Sequence, residues 1–296
     1  MSESAGRDQP DAQPDVNHPD LIYPDLIYTV TDGVARITLN RPDAANSLTP
    51  DQRDRLIGLF DEASADLAVR VVVLRANGKH FCTGADLRAP RPPDPGRPDP
   101  PRPEGAPERT LGDVGRTIRR GAQRLVTSII DCEKPVIAEV GGTAAGLGAH
   151  LALACDLIVA ADSARFIEVF VRRGITPDGG GAYLLPRMIG LAKSKELMFF
   201  GDDLSASDAE RIGLINKVVP ADDLGPAVDE WAARLAVAPT KAVSLTKWLV
   251  NRSLDSDRVT AFADEAWAQE MASTTRDFKE GVQAFVERRD VEFKGW

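Results

Sequence analysis

Ile27 to Val30 and Val34 to Leu39 alternate apolar and polar positions on either side of Asp32-Gly33. Period-two alternation sends successive side chains to opposite faces of a sheet, and Asp-Gly accepts the positive φ angles of a tight turn, so a hairpin is predicted. The spacing then becomes helical. Leu56, Leu59, Phe60, Ala63 and Leu67 recur behind Thr49-Pro50, a capping hydroxyl followed by proline at the first helical position, and predict a helix over about 50–66. Val71-Val-Val-Leu74 is short, β-branched and uninterrupted, the pattern of a strand covered on both faces, and it runs into the turn-forming Ala76-Asn-Gly-Lys79. Strand, helix, strand predicts an α/β fold.

The pattern resumes after an interruption. Val114 to Ile130 reads as a basic amphipathic helix, Pro135 to Val140 as a strand, Gly141 to Gly148 as a glycine loop, and a further helix starts at about 147. Beyond Pro220 the chain reads as helices only, with Trp231, Leu235, Leu245, Trp248, Trp267, Phe278 and Phe285 at helical intervals. The interruption itself is compositional: nine of the eighteen residues from Pro90 to Pro107 are proline, which prescribes extended, unpaired backbone, so 88–110 is expected to be a flexible insert. Residues 1–20, rich in Asp, Pro, Gln and Ser, bury too little to offset ordering and are expected to form a disordered tail. The expected organisation is therefore this tail, a core over 21–225 and a helical C-terminal region over 226–296. Asp20-Leu-Ile-Tyr23 recurs as Asp25-Leu-Ile-Tyr28, an echo too short to be a solenoid repeat.

Composition narrows the function. With 43% hydrophobic and 27% charged residues, 296 residues suffice for a large globular core. Against 36 Lys and Arg stand 45 Asp and Glu; a net charge of -9 repels nucleic acid. The most apolar stretch, Leu147 to Ala161, is broken by His150 and Asp156, which argues against a membrane span, and the first twenty residues hold no secretion signal; a cytoplasmic location is expected. Cys82, Cys132 and Cys155 are odd in number and widely spaced, the pattern of reduced thiols rather than of disulfides or a metal site. Three histidines, His18, His80 and His150, are few for a catalytic zinc or a serine triad.

Two loops carry candidate chemistry. His80-Phe-Cys-Thr-Gly-Ala-Asp-Leu87 and Gly141-Gly-Thr-Ala-Ala-Gly-Leu-Gly148 each follow a predicted strand and present backbone amides among small side chains, the second at a helix start that favours negative charge. Together they can form an oxyanion hole; singly, each also reads as a tight strand-to-helix turn. The glycines do not keep the G-x-G-x-x-G spacing of dinucleotide binding, and no Gly-Lys-Ser/Thr ending makes a P-loop.

These residues resemble the crotonase superfamily of enoyl-CoA hydratases and isomerases. The resemblance runs from Asn40-Arg-Pro42 and Asn46-Ser-Leu48 through Phe81-Cys-Thr-Gly-Ala-Asp-Leu87, Lys134-Pro-Val-Ile-Ala138, Gly142 to Gly148 and Leu151 to Asp156. It continues through Ala164-Arg-Phe166, Gly174 to Gly181, Leu185-Pro-Arg187 and Ala209 to Val219, to Asp277-Phe-Lys-Glu-Gly281. It implies a spiral of β-β-α turns with a helical C-terminal trimerisation region, and a homotrimer or homohexamer. It also implies an acyl-CoA substrate and no cofactor beyond the coenzyme A that the substrate carries. The thioester oxygen would be held by the amides of Ala85 and Leu147. Arg41, Ala44, Thr83 and Gly84 would contact the coenzyme A thioester, as would Asp86, Leu87, Gly146 and Phe170.

The acid and base positions depart from the hydratase pattern. The resemblance puts its two water-holding glutamates at His150 and Phe170, so paired-glutamate hydration is not expected. Asp178, in Thr176-Pro-Asp-Gly-Gly-Gly181, stands where isomerising members and those that attack an aromatic ring place an aspartate. It is the expected proton carrier, with capping of the following helix as the plain alternative. Glu168, two residues before Phe170, is a structural residue or a substitute acid. His150 is a core histidine or a group orienting water or the carboxylate. Asp156 is expected to be structural, and Arg116, Arg119, Arg120 and Arg124 to be a solvated face or a contact for coenzyme A phosphates. The expected function is isomerase-like proton transfer. The alternatives are an enoyl-CoA hydratase using His150 with Glu168 or Asp178, nucleophilic attack by Asp178 on an aromatic acyl-CoA, and a non-catalytic acyl-CoA-binding protein.

Overall fold

The structure, a computed structural model, describes residues 21–88, 103–107 and 111–296. The expected tail over 1–20 and most of the insert over 88–110 lie outside the described residues. β1 (Leu21–Tyr23), β2 (Leu26–Thr31) and β3 (Val34–Leu39) form an antiparallel start. Asp32 and Gly33 both take positive φ, 51° and 78°, the geometry that matches the twist of a two-residue hairpin. The short echo pairs with itself: Leu21 stands opposite Tyr28 and Tyr23 opposite Leu26, so it makes the two arms of a hairpin.

Thr49 starts α1 (Pro50–Ala65) with a full capping box. Its Oγ1 accepts the Gln52 amide at 3.2 Å while the Gln52 side chain accepts the Thr49 amide at 3.2 Å. The helix buries Leu56, Leu59, Phe60 and Ala63 of the spacing read from the sequence, whereas Leu67 lies beyond its end and is exposed. Three β-β-α turns follow. The first is β4 (Val71–Ala76), β5 (His80–Cys82), and the helical run α2 (Asp113–Ile118) and α3 (Arg124–Ile130), joined by a π-helical turn at Arg119–Gln123. The second is β6 (Val136–Val140), β7 (Thr143–Ala145) and α4 (Leu147–Ala154). The third is β8 (Leu157–Ala161), β9 (Arg165–Ile167) and α5 (Gly181–Phe200). β10 (Asp203–Ser205), α6 (Ala206–Arg211) and β11 (Lys217–Val219) complete the two sheets.

The first strand of each turn joins a seven-stranded sheet, ordered β1-β2-β3-β4-β6-β8-β11 and parallel from β3 onward. The second strands join a four-stranded sheet, ordered β10-β9-β7-β5. Val72 and Leu74 face the main core with Phe60, Phe81 and Leu151. Val71 and Val73 face outward with Ile137 and Val159, and are covered by Leu224, Ala227, Val228 and Ala232 of α7 (Leu224–Ala236). Burial on both faces is why the β4 sequence shows no alternation. α8 (Thr240–Ser253), α9 (Arg258–Ser273) and α10 (Arg276–Glu287) follow, leaving Phe262 and Phe285 largely exposed. Among the described residues, no helix is long and apolar enough to cross a membrane.

α4 lies so close to β5 that a Cβ on Gly148 would collide with the carbonyl oxygen of Cys82. Gly148→Ala is therefore expected to destabilise the protein by about 1–3 kcal/mol, the usual range for overpacking. Thermal unfolding checks this; an unchanged Tm would mean that the two turns do not touch.

Candidate active site

Ala85 and Leu147 owe their free amides to different local causes. Leu48 and Ala85 form a parallel bridge in which Leu48 donates to the Gly84 carbonyl and Asp86 donates to the Leu48 carbonyl, both at 2.8 Å. The residue between those two bonds turns its own N–H the other way, and the Ala85 amide finds no acceptor among the described residues. Leu147 is the first residue of α4, where an amide has no intrahelical acceptor, and the preceding Gly146 (φ 54°) gives no side-chain cap. Gly84 brings the turns together: a Cβ there would stand 3.5 Å from the Leu147 nitrogen and 3.0 Å from the Ala145 carbonyl oxygen. The two loops that carry the bare amides are thus in contact, Gly84 against Leu147.

A polar knot holds the first loop. Arg41 donates to the Ser47 carbonyl at 2.7 Å, to Gln52 Oε1 at 3.1 Å and to Asp86 at 3.0 Å. Asn46 donates to the carbonyls of Asn77 (2.9 Å) and His80 (2.7 Å), and Thr83 donates to that of Ala45 at 3.1 Å. Arg41, Thr83 and Asp86, nominated as coenzyme A contacts, therefore direct polar groups inward to the loop. Ala44 ends the short turn Pro42–Ala44 half-buried, and Leu87 is exposed. Burial works against the Asp86 carboxylate, but the Arg88 amide and the Arg41 and Arg88 guanidinium groups outweigh it and hold its pKa down at about 2.

The second cluster gathers His150, Glu168, Phe170 and Asp178. His150, within the first turn of α4, is fully buried and places Nε2 at 3.1 and 3.2 Å from the Glu168 oxygens. An ionised carboxylate only accepts, so with Glu168 ionised this contact requires a proton on Nε2. The ring stacks on Phe170, with centroids 5.1 Å apart and planes 17° from parallel. The two positions at which the resemblance expects glutamates thus hold two packed rings. Nδ1 of His150 is buried without a partner among the described residues.

Asp178 does not cap the helix. The cap of α5 is Gly180, with no side-chain bond, and no ion pair or hydrogen bond from another residue reaches the Asp178 carboxylate among the described residues. Burial pushes its carboxyl above the ordinary carboxylate range, partly offset by His150. The glycines after it let the loop lie against the histidine: a Cβ on Gly179 would stand 3.0 Å from Nδ1 and 2.8 Å from Leu147 Cδ1, and one on Gly181 would collide with Nε2. Asp156 accepts the Val136 amide at 2.7 Å and pairs with Lys247 at 2.8 Å, tying strands to α8. Arg116, Arg119, Arg120 and Arg124 are exposed, and Cys82, Cys132 and Cys155 are buried free thiols.

Sequence reasoning missed Leu48 and Gln52, which hold the first loop, and Ala122 and Val126, which abut the glycine run at 3.8 and 3.2 Å from Cβ atoms built on Gly179 and Gly180. Only the glycine run signalled a close approach. Chemically, backbone amides without acceptors can stabilise a developing oxyanion, and a half-buried carboxylate with raised proton affinity can take up and return a proton.

The depressed Asp86 pKa has a definite sign. Its stabilising contribution is full above the ordinary carboxylate value of 3.8 and disappears as pH falls through about 2. The Tm gap between the wild type and Asp86→Asn should therefore be widest near neutral pH and narrow on acidification below about pH 4. A gap that stays constant with pH would show that the carboxylate charge does not hold the loop.

Comparison with known proteins agrees with this geometry. The enoyl-CoA hydratase/isomerase family profile matches residues 29–94 and 109–296. The 1,2-epoxyphenylacetyl-CoA isomerase of Escherichia coli strain K12 is 35% identical over 266 residues, covering 90% of this chain and 97% of its own. The short-chain-enoyl-CoA hydratase of Clostridium acetobutylicum is 35% identical over 260 residues, covering 88% of this chain and 93% of its own. The crystal structure of an enoyl-CoA hydratase from Bacillus anthracis, 32% identical, superposes with a TM-score of 0.80 over 92% of this chain and all of that one. Sequence likeness of this extent, in a chain that folds as the same spiral of turns, makes it an enzyme of the enoyl-CoA hydratase/isomerase family, within the crotonase superfamily.

Proposed function

We propose that the chain isomerises an unsaturated acyl-CoA thioester, with Asp178 carrying the proton between carbons. The observation behind this reading is a half-buried carboxylate that does not cap the helix, has no ion-pair partner among the described residues, has its proton affinity raised by burial, and lies two residues from the glycine that caps α5. The thioester oxygen accepts hydrogen bonds from the amides of Ala85 and Leu147, which stabilises the enolate formed when a proton leaves the α-carbon. Asp178 takes that proton and returns it to the γ-carbon, moving the double bond from the 3,4 to the 2,3 position. Phe170 leaves no proton-transfer group at its own position. The likeness to an isomerase acting on 1,2-epoxyphenylacetyl-CoA supports isomerisation and leaves the acyl group open.

A second reading, hydration with His150 and Glu168 in place of the two glutamates, draws on the contact between them at 3.1 Å and on the likeness to a hydratase. Both groups are almost fully buried, and the His150 ring is stacked on Phe170, which leaves the activating atoms little access to water. We also propose that α8 to α10 assemble the chain into a homotrimer or homohexamer, because Phe262 (64% exposed) and Phe285 (85%) are large apolar side chains that a second copy would cover.

Asp178→Asn tests the first reading. Conversion of trans-3-hexenoyl-CoA to its conjugated isomer should fall by about 10²- to 10⁴-fold, with coenzyme A affinity and Tm little changed. In the wild type, activity should fall on acidification through a pKa above the ordinary carboxylate range, because the carrier must start deprotonated. Near-normal turnover in Asp178→Asn, together with its loss in His150→Ala or Glu168→Gln, would leave the hydratase reading standing. Sedimentation should return three or six times the 31.9 kDa chain mass; a monomer would refute the assembly.

A further inference from the structure

We propose that Glu168 and His150 form a buried positioning relay for Asp178: Glu168 fixes the ring proton on Nε2, and the Nδ1 lone pair accepts a hydrogen bond from the Asp178 carboxyl while that group carries the substrate proton. This rests on Asp178 being the proton carrier. Three observations carry it further than that reading. The first is the partnerless Nδ1: His150 is fully buried, its Nε2 is committed to Glu168, and no group of the described chain serves its other nitrogen. A buried acceptor without a donor costs about 1–3 kcal/mol unless some state of the protein supplies one.

The second is the direction in which Nδ1 looks. A Cβ on Gly179 would stand 3.0 Å from it, so Nδ1 lies against the peptide that immediately follows Asp178. Three glycines after an aspartate would ordinarily make a loose loop, but here Gly179 and Gly181 are the residues whose missing side chains admit the imidazole. With Phe170 stacked on its face, the ring is held flat and the loop is seated on its edge. The third is electrical. Among the described residues, Glu168 and Asp178 are the titratable groups beside this histidine, and its other neighbours, Leu147, Phe170, Gly179 and Gly181, carry no charge.

The step balances without an added reactant. The Asp178 carboxylate takes a proton from the α-carbon; the C–H electron pair passes into the thioester enolate, and an O–H bond forms on the carboxyl. That O–H donates to Nδ1, which neither gains nor loses a proton. The carboxyl then releases the proton to the γ-carbon as the enolate collapses to the conjugated thioester. By favouring the protonated form of Asp178, the relay raises its proton affinity at the moment when the carrier is loaded. His150 and Glu168 are thus positioning residues, and the ring tautomer is the property that matters.

Two substitutions separate the nitrogens. His150→Gln keeps an amide that can donate to Glu168 and supplies nothing at Nδ1; His150→Asn puts an acceptor near Nδ1 and gives up Glu168. With trans-3-hexenoyl-CoA, His150→Gln should lower kcat by roughly 10- to 100-fold with KM within about threefold, and should move the acid limb of the kcat profile to lower pH. His150→Asn should recover part of the rate and return the acid limb toward the wild-type position. An acid limb that moves to higher pH in His150→Gln would mean that the ring acts as a cation, and the relay would be wrong. Unchanged kcat and profile in His150→Gln would overturn it too, as would an Asn variant poorer than the Gln variant.

A measurement on the unaltered protein needs neither turnover nor a variant that folds. The chain has three histidines, so ¹⁵N spectra of the imidazoles are readable, and His150 should show a proton on Nε2 and none on Nδ1 near neutral pH. A proton on Nδ1 would refute the relay. Should Asp178→Asn turn over normally, the proposed function fails on its own account, whereas a dead Asp178→Asn beside an indifferent His150→Gln removes the relay alone.

Discussion

Two backbone amides left without acceptors among the described residues are the constraint from which the rest of the architecture follows. An unpaired amide is costly in a folded chain, and a protein keeps one only where neighbouring bonds over-determine it. Here the Leu48 bridge takes up the bonding groups on either side of Ala85, so that Ala85 alone is left over, while Leu147 is free because a helix begins there. Bringing together the two loops that carry these amides requires two strand-to-turn junctions in contact. The spiral provides this by sending the first strand of each turn into one sheet and the second into another. The polar knot of Arg41, Asn46 and Gln52 and the close fit of Gly148 on Cys82 then keep the junction from opening.

Against this shared frame, the proton-handling side of the site is particular to this chain. Two stacked rings occupy the positions at which the resemblance expects two carboxylates, and a carboxylate two residues away in sequence reaches the histidine from the side. The loop that bears Asp178 is seated on that histidine through glycine rather than through a hydrogen bond. Charge in this region is accordingly sparse.

What the sequence revealed and what it hid divide by range. The hairpin at Asp32-Gly33 and the helix at Thr49-Pro50 were legible because turn chemistry and capping act within four residues. β7 and β9 have three residues each, too few to display any period; the first was read as part of the glycine loop and neither was read as a strand. The π-helical turn in the Val114 to Ile130 helix left no mark on its apolar spacing. Asp178 illustrates the harder case. Its local sequence allowed both a helix cap and a free carboxylate, and the choice depends on the helix beginning beyond Gly180. The contact between His150 and Glu168 spans eighteen residues and two elements, and no local pattern carries it. The tetrapeptide echo looked idle because a repeat was sought in series, whereas the chain folds it back on itself.

The cover on the outer face of the large sheet bears on how the chain is made. Val71, Val73, Ile137 and Val159 are dry only because Leu224, Ala227, Val228 and Ala232 lie on them, and those four belong to a helix that ends at Ala236. A ribosome delivers the strands long before it delivers that helix. Throughout the interval the nascent sheet shows an aliphatic surface with no internal partner, which is the condition under which partly made chains stick to one another. The step that ends this exposure during synthesis is therefore the docking of α7, more than eighty amino acids after β6 has been laid down.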